Sequence, residues 1–171
     1  MGLDITAYRN LTPAPIEGFD ADGEPLQGDA IRLYRNGDFP GRADDINELL
    51  AYVPQEYFAF HAGSYGGYNQ WREQLAELAG YPMGEYVRFG VKSESRCVAC
   101  WNGEQGSFSE LINFADNEGV IGTAVSAKLA QDFAEHQDKA DAHPDERFRD
   151  RYADWRRAFE MAADSGAVSF H

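Results

Sequence analysis

Basic residues are scarce in this sequence. Lys and Arg number 15 against 29 Asp and Glu, a formal net charge of −14, whereas a protein that grips nucleic acid by neutralising phosphates needs the opposite balance. Direct binding to a long nucleic acid is therefore not expected, and the complementary partner is a basic protein surface. Cysteine is nearly absent: Cys97 and Cys100 form a single Cys-x-x-Cys. A zinc site needs two further ligands, and the candidates His136 and His143 have six residues between them, outside the usual three to five or so. Thioredoxin-type exchange wants the pair opening a helix, but Arg96-Cys-Val-Ala-Cys-Trp101 reads as mid-strand, which sends the two thiols to opposite faces. Structural, reduced cysteines are expected. No apolar run approaches the roughly 18 residues of a membrane span, and no charged-then-apolar leader opens the chain. A soluble cytoplasmic protein without a membrane partner is the expectation. The start Met1-Gly2 to Thr6 matches the bare myristoylation pattern, yet Leu3 and Ile5 are better used in a buried strand. There is no GxGxxG, no Walker spacing and no Ser/His/Asp or Cys/His triad. Nothing calls for a cofactor, and a non-enzymatic role is favoured.

What is present is enough to fold. A length of 171 residues fits one domain, and 43% hydrophobic with 13% aromatic residues supplies a core, so the acidity is not a sign of disorder. The charge is uneven. Residues 1–62, 63–106 and 107–171 carry −7, −1 and −6, so a near-neutral middle lies between two acidic flanks.

Residues 1–62 read as β-rich. Leu3 to Tyr8 alternates apolar and polar residues with period two. Asp22-Gly23, between Phe19 and Leu26, is a hairpin-turn signal, and Asp20-Ala-Asp22-Gly23-Glu24 lacks the remaining oxygens of a calcium loop. Ile31 to Tyr34 and Tyr57 to His61 look like further strands. Residues 63–106 are mixed. Tyr68, Trp71, Leu75 and Leu78 share one helix face, with Gly80 placed to cap its end. Glu85 to Trp101 alternates again, with a break at Lys92 to Ser95 that suggests a hairpin. Residues 107–171 are mostly helical. Ser107-Phe-Ser-Glu110 is a capping box opening a short helix, a second helix from about Thr123 turns Val125, Leu129 and Phe133 inward, and a third starts near Pro144 with the stripe Phe148, Tyr152, Trp155 and Phe159. Gly166 closes it, and Val168 to Phe170 can add a strand. Strands first and helices later predict a single α+β domain over 1–171, a mainly antiparallel sheet with helices packed on one face.

Three stretches carry candidate chemistry. In Gly63-Ser64-Tyr65-Gly66-Gly67-Tyr68-Asn69-Gln70-Trp71-Arg72, glycines and a serine lead into a helix whose free N–H groups and dipole favour an anion. Tyr65 and Tyr68 could stack on a base, Asn69 line the pocket and Arg72 fork onto a phosphate, making a small nucleotide a possible ligand. The same residues also suit a plain turn in which Ser64 caps the helix. In Asp116-Asn117-Glu118-Gly119, Asp116 and Glu118 could line that ligand site or, with His61 as base, serve a metal-dependent hydrolase; short acidic loops before helices are equally common. Finally, Asp132, Glu135, Asp138 and Asp141 recur every three residues along the helix expected from Thr123. That stripe is either a solvated face or a surface for a basic partner.

The opening Met1-Gly-Leu-Asp-Ile-Thr-Ala-Tyr8, the central Ala62-Gly-Ser-Tyr-Gly-Gly-Tyr-Asn-Gln-Trp-Arg72, and Asp116-Asn-Glu-Gly-Val-Ile-Gly122 followed by Ser126-Ala-Lys-Leu129 resemble a group of uncharacterised small proteins of tailed phages and prophages, over most of the chain. The resemblance implies an accessory protein acting in the cytoplasm of a bacterial host, in counter-defence or host takeover. Such a protein would block a basic surface of a host nucleic-acid-handling or defence protein, or sequester a signalling nucleotide.

Overall fold

The computed structural model describes residues 2–26, 28–114 and 118–171. Alternation at the start of the chain becomes β1 (Leu3–Arg9), which buries Leu3, Ile5 and Ala7 on one face and directs Asp4, Thr6 and Tyr8 to the other. Next, β2 (Thr12–Ala14) and β3 (Ala51–Val53) pair antiparallel and bracket a long arm of turns and isolated bridges. Within the arm the Asp22-Gly23 turn forms, with Asp20 Oδ1 accepting from the amides of Asp22 and Glu24 at 2.9 Å each. Ile31 to Tyr34 is not a strand. Among the described residues Ile31 alone of that segment bridges, to Tyr52, because the short β3 offers no longer edge to pair with.

The expected strand at Tyr57 is β4 (Glu56–Gly63), followed by α1 (Tyr65–Ala79). Tyr68, Trp71 and Leu75 are buried as the periodicity demands, and Gly80 ends the helix with φ 86°, a left-handed conformation that glycine adopts without steric cost. The hairpin is β5 (Gly84–Arg88) with β6 (Val91–Ser95). Its turn is Phe89-Gly90, both at positive φ, not the Lys92–Ser95 break expected; those residues instead pair with β5, as the two-residue turn sets the register.

The cysteine segment is helical, not a strand. Ser95 Oγ accepts from the Cys97 amide at 3.0 Å and winds the chain into α2 (Val98–Trp101), where Cys97 and Cys100 are buried free thiols. The next helix, α3 (Ser109–Ile112), starts without the expected capping box: Phe108 sits at φ 60° and its amide donates to the distant Asp132 carboxylate at 2.7 Å. The chain continues through β7 (Gly119–Gly122), α4 (Thr123–Glu135), α5 (Gln137–Asp141), α6 (Glu146–Ala162) and β8 (Ala167–Phe170). Asp145 caps α6, accepting from the Arg147 amide at 3.0 Å.

Strands pair antiparallel in the order β4-β1-β8-β7, giving the α+β domain the sequence predicts. One face takes the helices. There Ile5, Ile121, Val168 and Phe170 meet Trp71, Phe133, Trp155 and Phe159, and the Trp71 and Trp155 rings stack at 5.1 Å. The opposite face receives the arm, whose Leu33, Ile46 and Tyr52 pack on Val120 and Ala167.

Candidate functional site

The glycine-rich turn before α1 is locally what the sequence implies. Ser64 Oγ caps the helix, accepting from the Gly67 amide at 3.1 Å, and Tyr65 and Asn69 are exposed. The two groups meant to hold a ligand are inside the protein, however. Tyr68 is fully buried, stacks on Trp155 at 5.7 Å and donates its hydroxyl to the Phe114 carbonyl. Arg72 is 6% exposed; its Nη1 donates to the Ile112 carbonyl at 2.7 Å, its Nη2 to Asn69 Oδ1, and its guanidinium lies over the Tyr68 ring. An arginine so placed ties α1 to α3. A second guanidinium, that of Arg151, covers the turn: its Nη1 donates to the Gly67 carbonyl at 3.4 Å, and its Nη2 would lie 3.1 Å from a Cβ on Gly63.

Asn69 and Arg72 do line a cleft of 710 Å³, with Glu73, Arg88, Glu94 and Trp101 among its walls. Its central carboxylate is already engaged. Glu73 accepts from the Ser95 hydroxyl at 2.5 Å and from the Arg96 amide at 2.8 Å, and lies 3.5 Å from Cys97 Sγ. Burial, reinforced by that carboxylate, pushes the Cys97 thiol up to about 12, so it is a protonated packing group and not a nucleophile. Ser64 and Tyr65 are not among the cleft's walls.

The hydrolase residues are not assembled either. Asp116 lies outside the described residues. Glu118 is exposed just before β7, while His61 is on β4, at the other edge of the sheet, its Nδ1 2.8 Å from Asp4 Oδ1. Three strand spacings separate those edges, roughly 14 Å. Among the described residues no group of three or more His, Cys, Asp or Glu could hold a metal ion.

The acidic stripe divides. Asp132 is buried; it takes the Phe108 amide and, at 2.7 Å, the Lys128 ammonium, which also reaches Glu110. This corrects its assignment to a partner-facing surface: the carboxylate caps α3 and pins α4 to it. The helix then stops at Glu135, and Asp138 and Asp141 belong to α5. Glu135, Asp138 and Asp141 are exposed. Glu135 and Asp141 accept only from the neutral side chains of Gln131 and Gln137, and none of the three forms an ion pair among the described residues.

A second cleft, of 720 Å³, went unread in the sequence. It lies where the arm crosses the outer face of the sheet, and Glu118 is on its wall with Tyr8, Arg32, Tyr34, Ser169 and His171. The Arg32 guanidinium is held 4.7 Å from the ring centres of both Phe19 and Tyr34, its Nε makes no hydrogen bond, and among the described residues it has no carboxylate partner. The wall residue His171 has its Nε2 3.0 Å from Thr6 Oγ1. Burial, and then the nearby Glu24 charge, raise the Tyr8 hydroxyl against the lowering hydrogen bond from Thr6, so it stays a neutral donor. Arg between aromatic residues, Phe19 and Tyr34 with Arg32, was the signal available. Comparison of the chain with protein families, curated proteins and solved structures finds no match.

Proposed function

We propose that this is a non-enzymatic binding protein whose acidic end, formed by the last turn of α4 and by α5, docks on a basic protein surface. The observation that carries the reading is the exposure of Glu135, Asp138 and Asp141 without cationic partners among the described residues. Residues 128–146 contain six acids and two Lys, one of which, Lys128, is paired with the buried Asp132, so the local field is negative and attracts a positive surface at long range. The resemblance to small phage proteins supports a bacterial host protein that handles nucleic acid or serves in defence as the partner, with host takeover or counter-defence in the cytoplasm as the setting. Capture from bacterial lysate, with bound proteins identified by mass, tests it. Basic host proteins are retained by the wild type and lost with the triple variant Glu135→Gln, Asp138→Asn, Asp141→Asn; retention by that variant would defeat the electrostatic mechanism.

A second reading is favoured by Arg32. Arg32 forms no ion pair among the described residues, although Glu24 and Glu118 also line the cleft, and a guanidinium framed by aromatic rings suits a small anionic ligand with an aromatic group, a nucleotide for instance. On this reading the nucleotide would be held in the cleft under the arm, in place of the Gly63–Arg72 turn, whose Tyr68 and Arg72 are buried. A nucleotide panel would raise the melting temperature of the wild type, because a ligand of the native state stabilises it. The shift would vanish in Arg32→Ala; no shift with any nucleotide removes this reading.

A further inference from the structure

The four-stranded sheet has two lateral edges. At the β7 edge the arm closes the ladder, the Gly122 amide donating to the Arg42 carbonyl at 2.8 Å. The β4 edge is different. Asp4 and His171 exchange both backbone hydrogen bonds, at 2.8 and 3.0 Å, so Asp4, Thr6 and Tyr8 direct their backbone groups to β8 while Ile5, Ala7 and Arg9 direct theirs to β4. The Gln55 amide donating to the Arg9 carbonyl at 3.1 Å agrees with that phase. In the observed register Arg9, Ala7 and Ile5 face Glu56, Phe58 and Phe60. Those three β4 residues therefore point inward, and Tyr57, Ala59 and His61 point their N–H and C=O groups out of the sheet. None of these outward groups has a hydrogen-bond partner among the described residues.

Natural edge strands are usually guarded by Lys, Pro or an inward charge. Tyr57 to His61 contains none of these. We propose that β4 pairs antiparallel with β4 of a second copy of this chain, joining two four-stranded sheets across a two-fold axis at Ala59. The phase restricts the register, because outward-pointing residues must oppose one another. Placing Ala59 opposite Ala59 of the second copy sets Tyr57 opposite its His61, and uses all the outward groups of the three residues. The same register sets Phe58 opposite Phe60 of the second copy on the helix-covered face, an aromatic cross-strand pair, and leaves only the small Ala59 side chains at the axis.

Charge selects the occupant. Glu56, half-exposed and paired at 3.1 Å with Arg9 of its own chain, would stand opposite Ala62 of the second copy, beside the Arg151 that lies against Gly63 and forms no ion pair among the described residues; Arg151 would join that pair across the interface, and the two-fold axis makes this contact twice. Tyr57 to Phe60, the centre of the paired strand, contains no Asp, Glu, Lys or Arg. Two copies each carrying −14 repel at long range, so screening by salt strengthens this association, whereas salt would weaken the grip of a basic peptide on the same edge. The pairing does not depend on the acidic end at α5.

Sedimentation velocity of the full chain tests it, from about 1 µM to about 1 mM. The expected result is a species of twice the chain mass whose dissociation constant falls as salt rises from about 50 to 500 mM. Ala59→Pro removes only an outward N–H, a change an edge strand tolerates, and Ala59→Lys places like charges at the axis. Each is expected to weaken the dimer about tenfold or more, with melting temperature and circular dichroism of the monomer unchanged. If the Pro variant is misfolded, the Lys variant, altered at an exposed side chain, decides. A wild type that stays monomeric throughout, a dimer that both variants leave intact, or one that salt dissociates overturns the proposal.

Discussion

Asp132 and Asp138 are six residues apart in one acidic run, yet the chain uses them in opposite ways. Asp132 lies at the α4–α3 contact, buried, with an amide and an ammonium for partners; Asp138 lies on α5 in water, outside any ion pair among the described residues. Arginine divides likewise. Arg72 is consumed between α1 and α3, while Arg32 waits in a cleft between two rings. A charged residue facing another element is a joint; the same residue type facing solvent is available for recognition. Substitutions at the joints should cost stability and spare binding, and those outside should do the reverse.

The sharpest break of that rule would come from Asp132→Ala. It strands the Phe108 amide and the Lys128 ammonium, and about 3 kcal/mol of stability is expected to go, seen as a melting temperature lower by roughly 10 °C. Arg72→Leu ranks next at about 2 kcal/mol, since the Ile112 carbonyl loses a charged donor, and chemical denaturation measures it. If the Arg32 cleft binds a nucleotide, Arg72→Leu leaves that binding intact. A third effect concerns Cys97. Burial raises its thiol from 9.0 to about 12, so between those pH values the unfolded chain has shed the proton and the folded chain keeps it. The unfolded state then binds fewer protons, and stability falls as pH rises across that window. Cys97→Ala removes this part of the loss, and denaturant titrations at successive pH values show it. Least of all, Glu135→Gln with Asp138→Asn and Asp141→Asn shifts stability by no more than about 0.5 kcal/mol.

Local patterns in the sequence translated well where one element sufficed to decide them. The stripes Tyr68-Trp71-Leu75 and Phe148-Tyr152-Trp155-Phe159 and the cap at Gly80 are properties of a single helix, and strand alternation at Leu3 to Tyr8 is a property of a single strand. The errors fall where a distant group intervenes. Ser107 is displaced as a cap by Asp132, twenty-odd residues away in sequence; Arg72 finds the Ile112 carbonyl; Ser95 Oγ winds the cysteine segment into a helix. No spacing rule encodes these contacts. At the candidate sites Ser64, Tyr65, Asn69, Glu118, Glu135 and Asp138 are exposed, while Tyr68, Arg72 and Asp132, recognition groups by sequence pattern alone, are structural. For the Arg32 cleft the aromatic residues flanking Arg32 in sequence are the only signal, and that Phe19 joins Tyr34 at the guanidinium follows only when the arm folds back.

The most direct test of the acidic-end account is the salt dependence of affinity for the captured basic partner, measured for the wild type and for the Glu135→Gln, Asp138→Asn, Asp141→Asn variant at matched stability. If the acidic end grips a basic surface, wild-type affinity falls steeply with salt and the variant binds weakly with a flattened slope. Equal affinities and equal slopes would contradict it.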